Sequence, residues 1–242
     1  MRFLKIKKAL RAFFWKRDLR ALRHGVAASL EHSACLRRHT KIKTIVDIGA
    51  NKGQFALEAV KWHDATVIAF EPLKRERGLI ELIFADRDRF TVHPFALGNT
   101  DGNVDFHVSA ASDSSSVLDQ TSLQTDHFPE TQNKHVEKVE IRRLDQLVDK
   151  KDLVHPVLGK IDVQGFELSV LEGFGDLLKA FDYLIIELSN VSFYAGAPNS
   201  AVVISYLSSR GFHIENIYNM YQKDGVCLQA DFLFARDVNG RG

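Results

Sequence analysis

Four acidic residues in this sequence each follow a short apolar run: Asp47 after Thr44-Ile45-Val46, Glu71 after Val67-Ile68-Ala69-Phe70, Asp162 after Leu158-Gly159-Lys160-Ile161, and Glu187 after Leu184-Ile185-Ile186. Carboxylates brought together can hold a cation, accept hydrogen bonds from hydroxyls, or take a proton as a general base. Glu71 lies 22 residues beyond Gly49. An acid at about that distance from a glycine turn accepts hydrogen bonds from the two hydroxyls of a ribose. The chemistry these residues suit is recognition of a nucleoside.

The acids can act together only if they share one edge of the molecule, and the runs before them are the elements able to put them there. Thr44–Val46, Ala65–Phe70, Phe90–His93, Val157–Val163 and Tyr183–Leu188 are apolar with little alternation, as strands buried on both faces are. After Asp47 the chain turns through Gly49, Ala50, Asn51 and Gly53 into a helix with Phe55, Ala56, Ala59, Val60 and Trp62 at helical spacing. Pro72 ends the second run and suits the first turn of a helix to about Asp86. Pro94-Phe95-Ala96-Leu97-Gly98 makes a turn after the third run. Further helices are predicted over 166–180, interrupted at Gly173 and Gly175, and over 199–210, stopped by Gly211. This order predicts an α/β fold with a mostly parallel sheet and helices on both faces. Its ligand lies outside the carboxyl ends of the strands, against glycines and free helix N–H groups.

Two stretches depart from that pattern. Val104–Val108 and Val136–Ile141 alternate apolar and polar residues, which predicts half-exposed strands of a hairpin. They bound an insert of about residues 103–142 between the third and fourth core strands. Its polar centre, 109–135, is densest at Ser112-Asp113-Ser114-Ser115-Ser116 and is the expected place for substrate contacts. Phe212–Tyr218 and Val226–Ala235 close the chain as two strands around Lys223-Asp224-Gly225.

The glycine turn narrows the nucleoside. A dinucleotide site reads G-x-G-x-x-G and cradles a pyrophosphate. Here Gly49-Ala50-Asn51-Lys52-Gly53 follows Asp47, whose charge repels a pyrophosphate and suits a ligand bearing an ammonium and a sulfonium. S-adenosylmethionine carries both, together with a ribose for Glu71. An NAD(P)-dependent oxidoreductase and a non-catalytic binding module are the alternative readings.

The sequence also resembles a family. Val46-Asp47-Ile48-Gly49-Ala50-Asn51-Lys52-Gly53-Gln54-Phe55 is similar to the first motif of the FkbM family of S-adenosylmethionine-dependent methyltransferases. Phe70-Glu71-Pro72, Ala96-Leu97-Gly98, Arg143-Leu144-Asp145, the stretch Lys160–Gly173 and Ile186-Glu187-Leu188-Ser189 follow in the family's order. The resemblance implies a Rossmann-like sheet of seven strands, the last antiparallel. It implies transfer of a methyl group to a hydroxyl oxygen on a sugar, glycan or related metabolite. The cofactor-binding residues are then Asp47, Gly49, Asn51, Gly53, Phe55, Glu71, Pro72, Ala96, Leu97 and Asp162. An alcohol must lose its proton during such a transfer. Asp162 is the first candidate base, with orientation of the donor's methionine end as its other reading, and Glu187 is the second. His93 and His107 titrate near neutrality and are further candidates. No metal is expected, since no tight ligand spacing supports one.

The totals set the surroundings. A chain of 242 residues suits one α/β domain with additions. The net charge of +1 divides into +11 over residues 1–43 and −10 over 44–242. Residues 1–40 are read as a basic helical extension and 41–242 as the catalytic domain. Within the extension, 3–23 is an amphipathic segment able to pack on the domain or to touch an anionic membrane surface. The acidic body, with no basic stripe interleaved with aromatics, argues against a nucleic-acid partner. Two cysteines, Cys35 and Cys227, form no disulfide framework, and the chain has no membrane-spanning run or uninterrupted signal-peptide core. A cytoplasmic protein is expected, with membrane contact through 1–23 at most peripheral.

Overall fold

The computed structural model describes residues 16–39 and 41–237. Its strands are β1 (Thr44–Ile48), β2 (Thr66–Phe70), β3 (Phe90–His93), β4 (Ala96–Leu97), β5 (Gly102–Ser109), β6 (Asn133–Arg142), β7 (Val157–Ile161), β8 (Tyr183–Ser189), β9 (Phe212–Lys223) and β10 (Val226–Arg236). Its α-helices are α1 (Lys16–Arg23), α2 (Ser33–Arg38), α3 (Gln54–Trp62), α4 (Lys74–Phe84), α5 (Ser122–His127), α6 (Leu144–Leu147), α7 (Glu167–Glu172) and α8 (Ser200–Ser208).

Seven strands form one sheet in the order β3-β2-β1-β7-β8-β10-β9. Neighbours from β3 to β8 are parallel. Only β10 runs against its neighbours, pairing antiparallel with both β8 and β9. This is the mostly parallel sheet with a reversed last strand that the sequence implied. Every residue of β1 and β7 is buried, because helices cover both faces of a parallel sheet and the strands need apolar side chains on each.

The faces follow from side-chain alternation. Val46, Ile48, Ile161, Ile186 and Phe234 meet Val170, Leu171 and Phe174 of the α7 region and Val203 and Leu207 of α8. Ile45, Val67, Leu158, Ile185 and Leu233 meet Leu36 of α2, Phe55 and Ala56 of α3, and Ile80, Ile83 and Phe84 of α4. Burying one such aliphatic or phenyl group stabilises the fold by about 1.5–3 kcal/mol.

Continuing that second set along each strand reaches Asp47, Lys160, Glu187 and Asp231. The sheet therefore carries a charged row on one face at its ligand-binding end. This explains the first departure from expectation. β1 does not stop at Asp47 but runs to Ile48, because Asp47 is paired in register with Ala69 on one side and Lys160 on the other.

The later part of the helical extension is divided into a 3-10 turn, Leu30–His32, and α2. Of the amphipathic segment 3–23, residues 3–15 lie outside the described residues. The described part, α1, buries Ala21 and sets Arg17 and Arg20 at 3.3 and 3.2 Å from Asp86. Asp18 and Lys61 make a buried pair at 2.8 Å. No helix among the described residues is long and apolar enough to cross a membrane.

The insert forms a second sheet, in the order β4-β6-β5. Its polar centre is more ordered than a plain loop. It contains α5 and two 3-10 turns, Ser112–Ser114 and Pro129–Thr131. Backbone N–H groups and side chains fasten it: Thr121 N–H donates to the Phe193 carbonyl at 2.9 Å, and Gln120 Nε2 to the Thr131 carbonyl at 2.7 Å. Phe128 stacks obliquely on Tyr221, ring centres 4.9 Å apart, so the insert is seated on the β9–β10 hairpin.

Candidate active site

A cleft of about 560 Å³ opens at the carboxyl ends of β1, β2, β7 and β8, with the insert along one side. This is where an open α/β sheet places its ligand. One wall is the turn after β1. Gly49 stands at φ +75°, and a Cβ there would lie 2.0 Å from the Asp162 carbonyl oxygen. Only a residue without a side chain lets the glycine turn close against the end of β7. Gly53, at φ +80°, then starts α3 from a left-handed residue.

Glu71, at the end of β2, is almost fully buried. Its Oε2 accepts the Asn51 backbone N–H and its Oε1 the Leu73 N–H, each at 2.8 Å. Burial pushes its carboxyl up to about 8, against the pull of those two N–H donors. Each oxygen keeps a lone pair for a further donor. Asn51 accepts the Ser112 hydroxyl on Oδ1 at 2.9 Å, while its buried Nδ2 has no partner among the described residues. An orphan amide donor and a two-oxygen acceptor on one wall match what an adenosine with free ribose hydroxyls needs. The residues present fit S-adenosylmethionine, which Glu71, Asn51 and the Gly49 turn would hold.

The charged row lies deeper. Lys160 Nζ donates to Asp162 Oδ2 at 2.8 Å, and Gln164 Nε2 donates at 2.6 Å both to Asp162 Oδ1 and to Glu187 Oε2. Tyr194 donates its hydroxyl to Gln164 Oε1 at 2.9 Å. Gln164 thus clamps two carboxylates and is itself held. Burial disfavours the Lys160 ammonium, but Asp162 and Asp47 outweigh it and hold its pKa above the ordinary lysine value. Burial pushes the Glu187 carboxyl well up, and the nearby Asp162 and Asp231 add to this.

Backbone strain collects at the same place. Four non-glycine residues among those described have positive φ: Asn51, Gln164, Asn219 and Asp224. The first three line the cleft. The fourth forms the β9–β10 turn with Gly225. Left-handed backbone costs free energy that the surroundings must outweigh, and it concentrates where side chains are aimed at a ligand.

The cleft brings together most of the residues named from the sequence. Gly49, Asn51, Phe55, Glu71, Pro72, Ala96, Leu97, Asp162 and Glu187 all line it. Asp47 and Gly53 do not. Asp47 was expected to meet the ligand's cation directly. It sits one residue before the end of β1, fully buried on the α2–α3 face, with both oxygens lacking a hydrogen-bond partner among the described residues. Burial pushes its carboxyl up to about 6, while Lys160 pulls it down. Asp47 therefore reaches the cleft through the Lys160 ammonium. Gly53 acts on the backbone path alone.

The two histidines named from the sequence also lie elsewhere. His93 stacks on Phe70 with ring centres 5.0 Å apart, and His107 Nδ1 is 3.5 Å from Asp119. Neither lines the cleft; His32 does. Sequence reasoning also passed over Lys160, Gln164, Asn219 and Asp231. Asp231 carried a readable signal, a lone acid inside the apolar run Ala230–Phe234. Ser112, Asp113, Ser114 and Ser115 bring the serine-rich part of the insert onto the wall. Among the described residues, no group of three or more His, Cys, Asp or Glu side chains is arranged to hold a metal ion.

Comparison with known proteins supplies the family. Residues 47–214 match the methyltransferase FkbM domain. The 2-O-methyltransferase NoeI of Sinorhizobium fredii is 27% identical over 172 residues, covering 68% of this chain and 71% of that protein. An rRNA methylase from Streptococcus thermophilus superposes with a TM-score of 0.47 at 10% identity, covering 84% of this chain and 93% of the other. A ribosomal protein L11 methylase from Lactobacillus delbrueckii subsp. bulgaricus gives 0.47 at 11% identity, over 86% and 78% of the two chains. The family match sets aside the oxidoreductase alternative. The chain belongs to the FkbM family of methyltransferases, and S-adenosylmethionine is its methyl donor.

Proposed function

We propose that this methyltransferase modifies a hydroxyl oxygen on a sugar, glycan or related small metabolite that carries no phosphate. One observation carries the choice of acceptor: among the described residues, seven acidic side chains line the cleft (Glu31, Glu71, Asp113, Glu130, Asp162, Glu187 and Asp231) against one ammonium, Lys160, and one imidazole, His32. Ionised or protonated, these acids offer phosphate and carboxylate groups no counter-charge and suit hydroxyls, which hydrogen-bond to carboxyl oxygens. A nucleic acid would bring its phosphates against this wall, and a basic surface would be needed to hold it. The name of the 2-O-methyltransferase relative supports transfer to oxygen.

When bound, S-adenosylmethionine supplies a methyl carbon made electrophilic by its sulfonium. The protein holds the reactants in line and manages the acceptor's proton. Holding two reactants in register can lower the barrier by about 7–11 kcal/mol at best. Asp162 has one oxygen on Lys160 and the other on Gln164, and this commitment suits the orienting role. Glu187, held by Gln164 and pushed toward its protonated form, suits a hydrogen bond to the acceptor.

The test is transfer of radiolabelled methyl from S-adenosylmethionine to a panel of neutral mono- and oligosaccharides, sugar phosphates and RNA. Label on neutral hydroxyl compounds alone is the expected result. Label on RNA or only on sugar phosphates overturns the acceptor class.

A further inference from the structure

The cleft holds another pair outside the matched family domain. His32, on the turn before α2, and Asp231, on β10, both lie beyond residues 47–214. Their side chains meet, with His32 Nε2 standing 3.2 Å from Asp231 Oδ2. They are 8% and 7% exposed, and both line the cleft. Asp231 Oδ2 also accepts the Asn219 side-chain N–H at 2.6 Å. Phe55 packs against the imidazole edge-to-face, ring centres 5.2 Å apart, which fixes the ring plane. Both ring nitrogens are buried, and beyond the 3.2 Å approach of Nε2 to Asp231 neither has a hydrogen-bond partner among the described residues. An imidazole with one nitrogen beside a carboxylate and the other unpartnered, at the wall of a reaction cleft, is placed to take up a proton.

We propose that His32 is the general base of the methyl transfer and that Asp231 is its positioning residue. The inference rests on the reading of the protein as an O-methyltransferase. With the neutral proton on the Nε2 beside Asp231, the lone pair of Nδ1 is left to accept the acceptor's proton. The acceptor oxygen forms its bond to the methyl carbon as the carbon–sulfur bond breaks, with the bonding electrons going to sulfur. The hydroxyl proton passes to Nδ1. The imidazolium so formed sits on the Asp231 carboxylate. The other charged groups turned toward this corner are Asp47 from β1, Lys160 from β7 and Glu187 from β8.

The test uses the full chain and the variants H32A and D231N. Calorimetry with S-adenosylhomocysteine comes first, and affinity within about threefold of wild type is expected in both, which establishes that the donor side is intact. Methyl transfer to the neutral sugar panel is then expected to fall by at least about 100-fold in H32A. The acidic limb of the wild-type rate against pH should vanish in H32A and move to lower pH in D231N. An acceptor-independent reading comes from nitrogen NMR of the imidazoles, where His32 should carry its neutral proton on Nε2. Equal turnover in wild type and H32A overturns the base assignment alone, as does a neutral His32 protonated on Nδ1. A wild-type protein that labels no compound in the panel overturns the acceptor reading instead.

Discussion

Glu71 and Asn51 are joined across the glycine turn: the buried Glu71 carboxylate accepts the Asn51 backbone N–H at 2.8 Å. The bond ties the end of β2 to the turn after β1, so the acid that would hold a ribose is placed by the loop that would pass beneath it. The same carboxylate caps the start of the next segment through the Leu73 N–H. Replacing it by Ala should weaken S-adenosylhomocysteine binding by about 10- to 100-fold, the effect of losing charged hydrogen bonds worth roughly 1.5–3 kcal/mol each. Calorimetry checks this, and unchanged affinity in E71A removes Glu71 from the donor site.

The contact between Gly49 and the Asp162 carbonyl predicts an unusually severe glycine substitution. In Gly49→Ala the new Cβ would lie 2.0 Å from backbone oxygen, whereas Gly25, at a similar φ of +73°, has nothing within 4 Å of its Cβ position. The two variants share the left-handed backbone penalty and differ in the clash. G25A should lower unfolding free energy by about 1 kcal/mol, and G49A by about 3 kcal/mol or more. Urea titration decides, and equal losses would mean that the turn can move away from β7.

Among the carboxyls that burial raises in the folded chain, Asp47 is pushed up to about 6, Glu167 to about 7 and Glu71 to about 8. A raised carboxyl binds its proton more tightly folded than unfolded. Its stabilisation is complete below the ordinary value near 4 and is lost as pH rises through the raised one. His63 and His93, lowered by burial, act in the opposite sense below about pH 6.5. The unliganded protein should therefore lose stability from about pH 7 to 8, on the order of 1 kcal/mol per pH unit for each titrating group. Denaturant midpoints over this range test the sign. Glu71→Gln should flatten the slope, and a rise in stability across it would contradict the burial of these groups.

Lys160 stands between Asp47 and Asp162, so these charges are coupled. Lys160→Met leaves the buried Asp47 and the partly buried Asp162 without their cation and should cost about 3–5 kcal/mol. The double variant K160M/D47N should be less damaged than K160M alone, because Asn carries no charge to bury. A double-mutant cycle measured by urea unfolding gives the coupling. Additive losses would show that Asp47 does not act through Lys160.

Much of this protein is legible in its sequence for local reasons. The runs before Asp47, Glu71, Asp162 and Glu187 could be nothing other than buried strands, and parallel strands of one sheet share an edge. The placing of those four acids at the carboxyl ends of the strands therefore followed from the chain alone, as did the glycine turn. The helical extension was less legible, because the lengths of α1 and α2 depend on packing against α3 and α4 rather than on their own spacing.

What the tertiary structure decided is which way each side chain faces and what it meets. Asp47 and Ile48 are adjacent in sequence, yet strand alternation turns one into the buried charged row and leaves the other on the cleft wall. His93 ends a core strand and reads as catalytic, but it packs on Phe70. His32 and Asp231 are separated by almost the whole described chain, so their meeting required β10 to insert antiparallel between β8 and β9. Sequence spacing carries contacts within one turn or one strand–helix unit. A pair drawn from the two ends of the fold exists only once the sheet has closed around it.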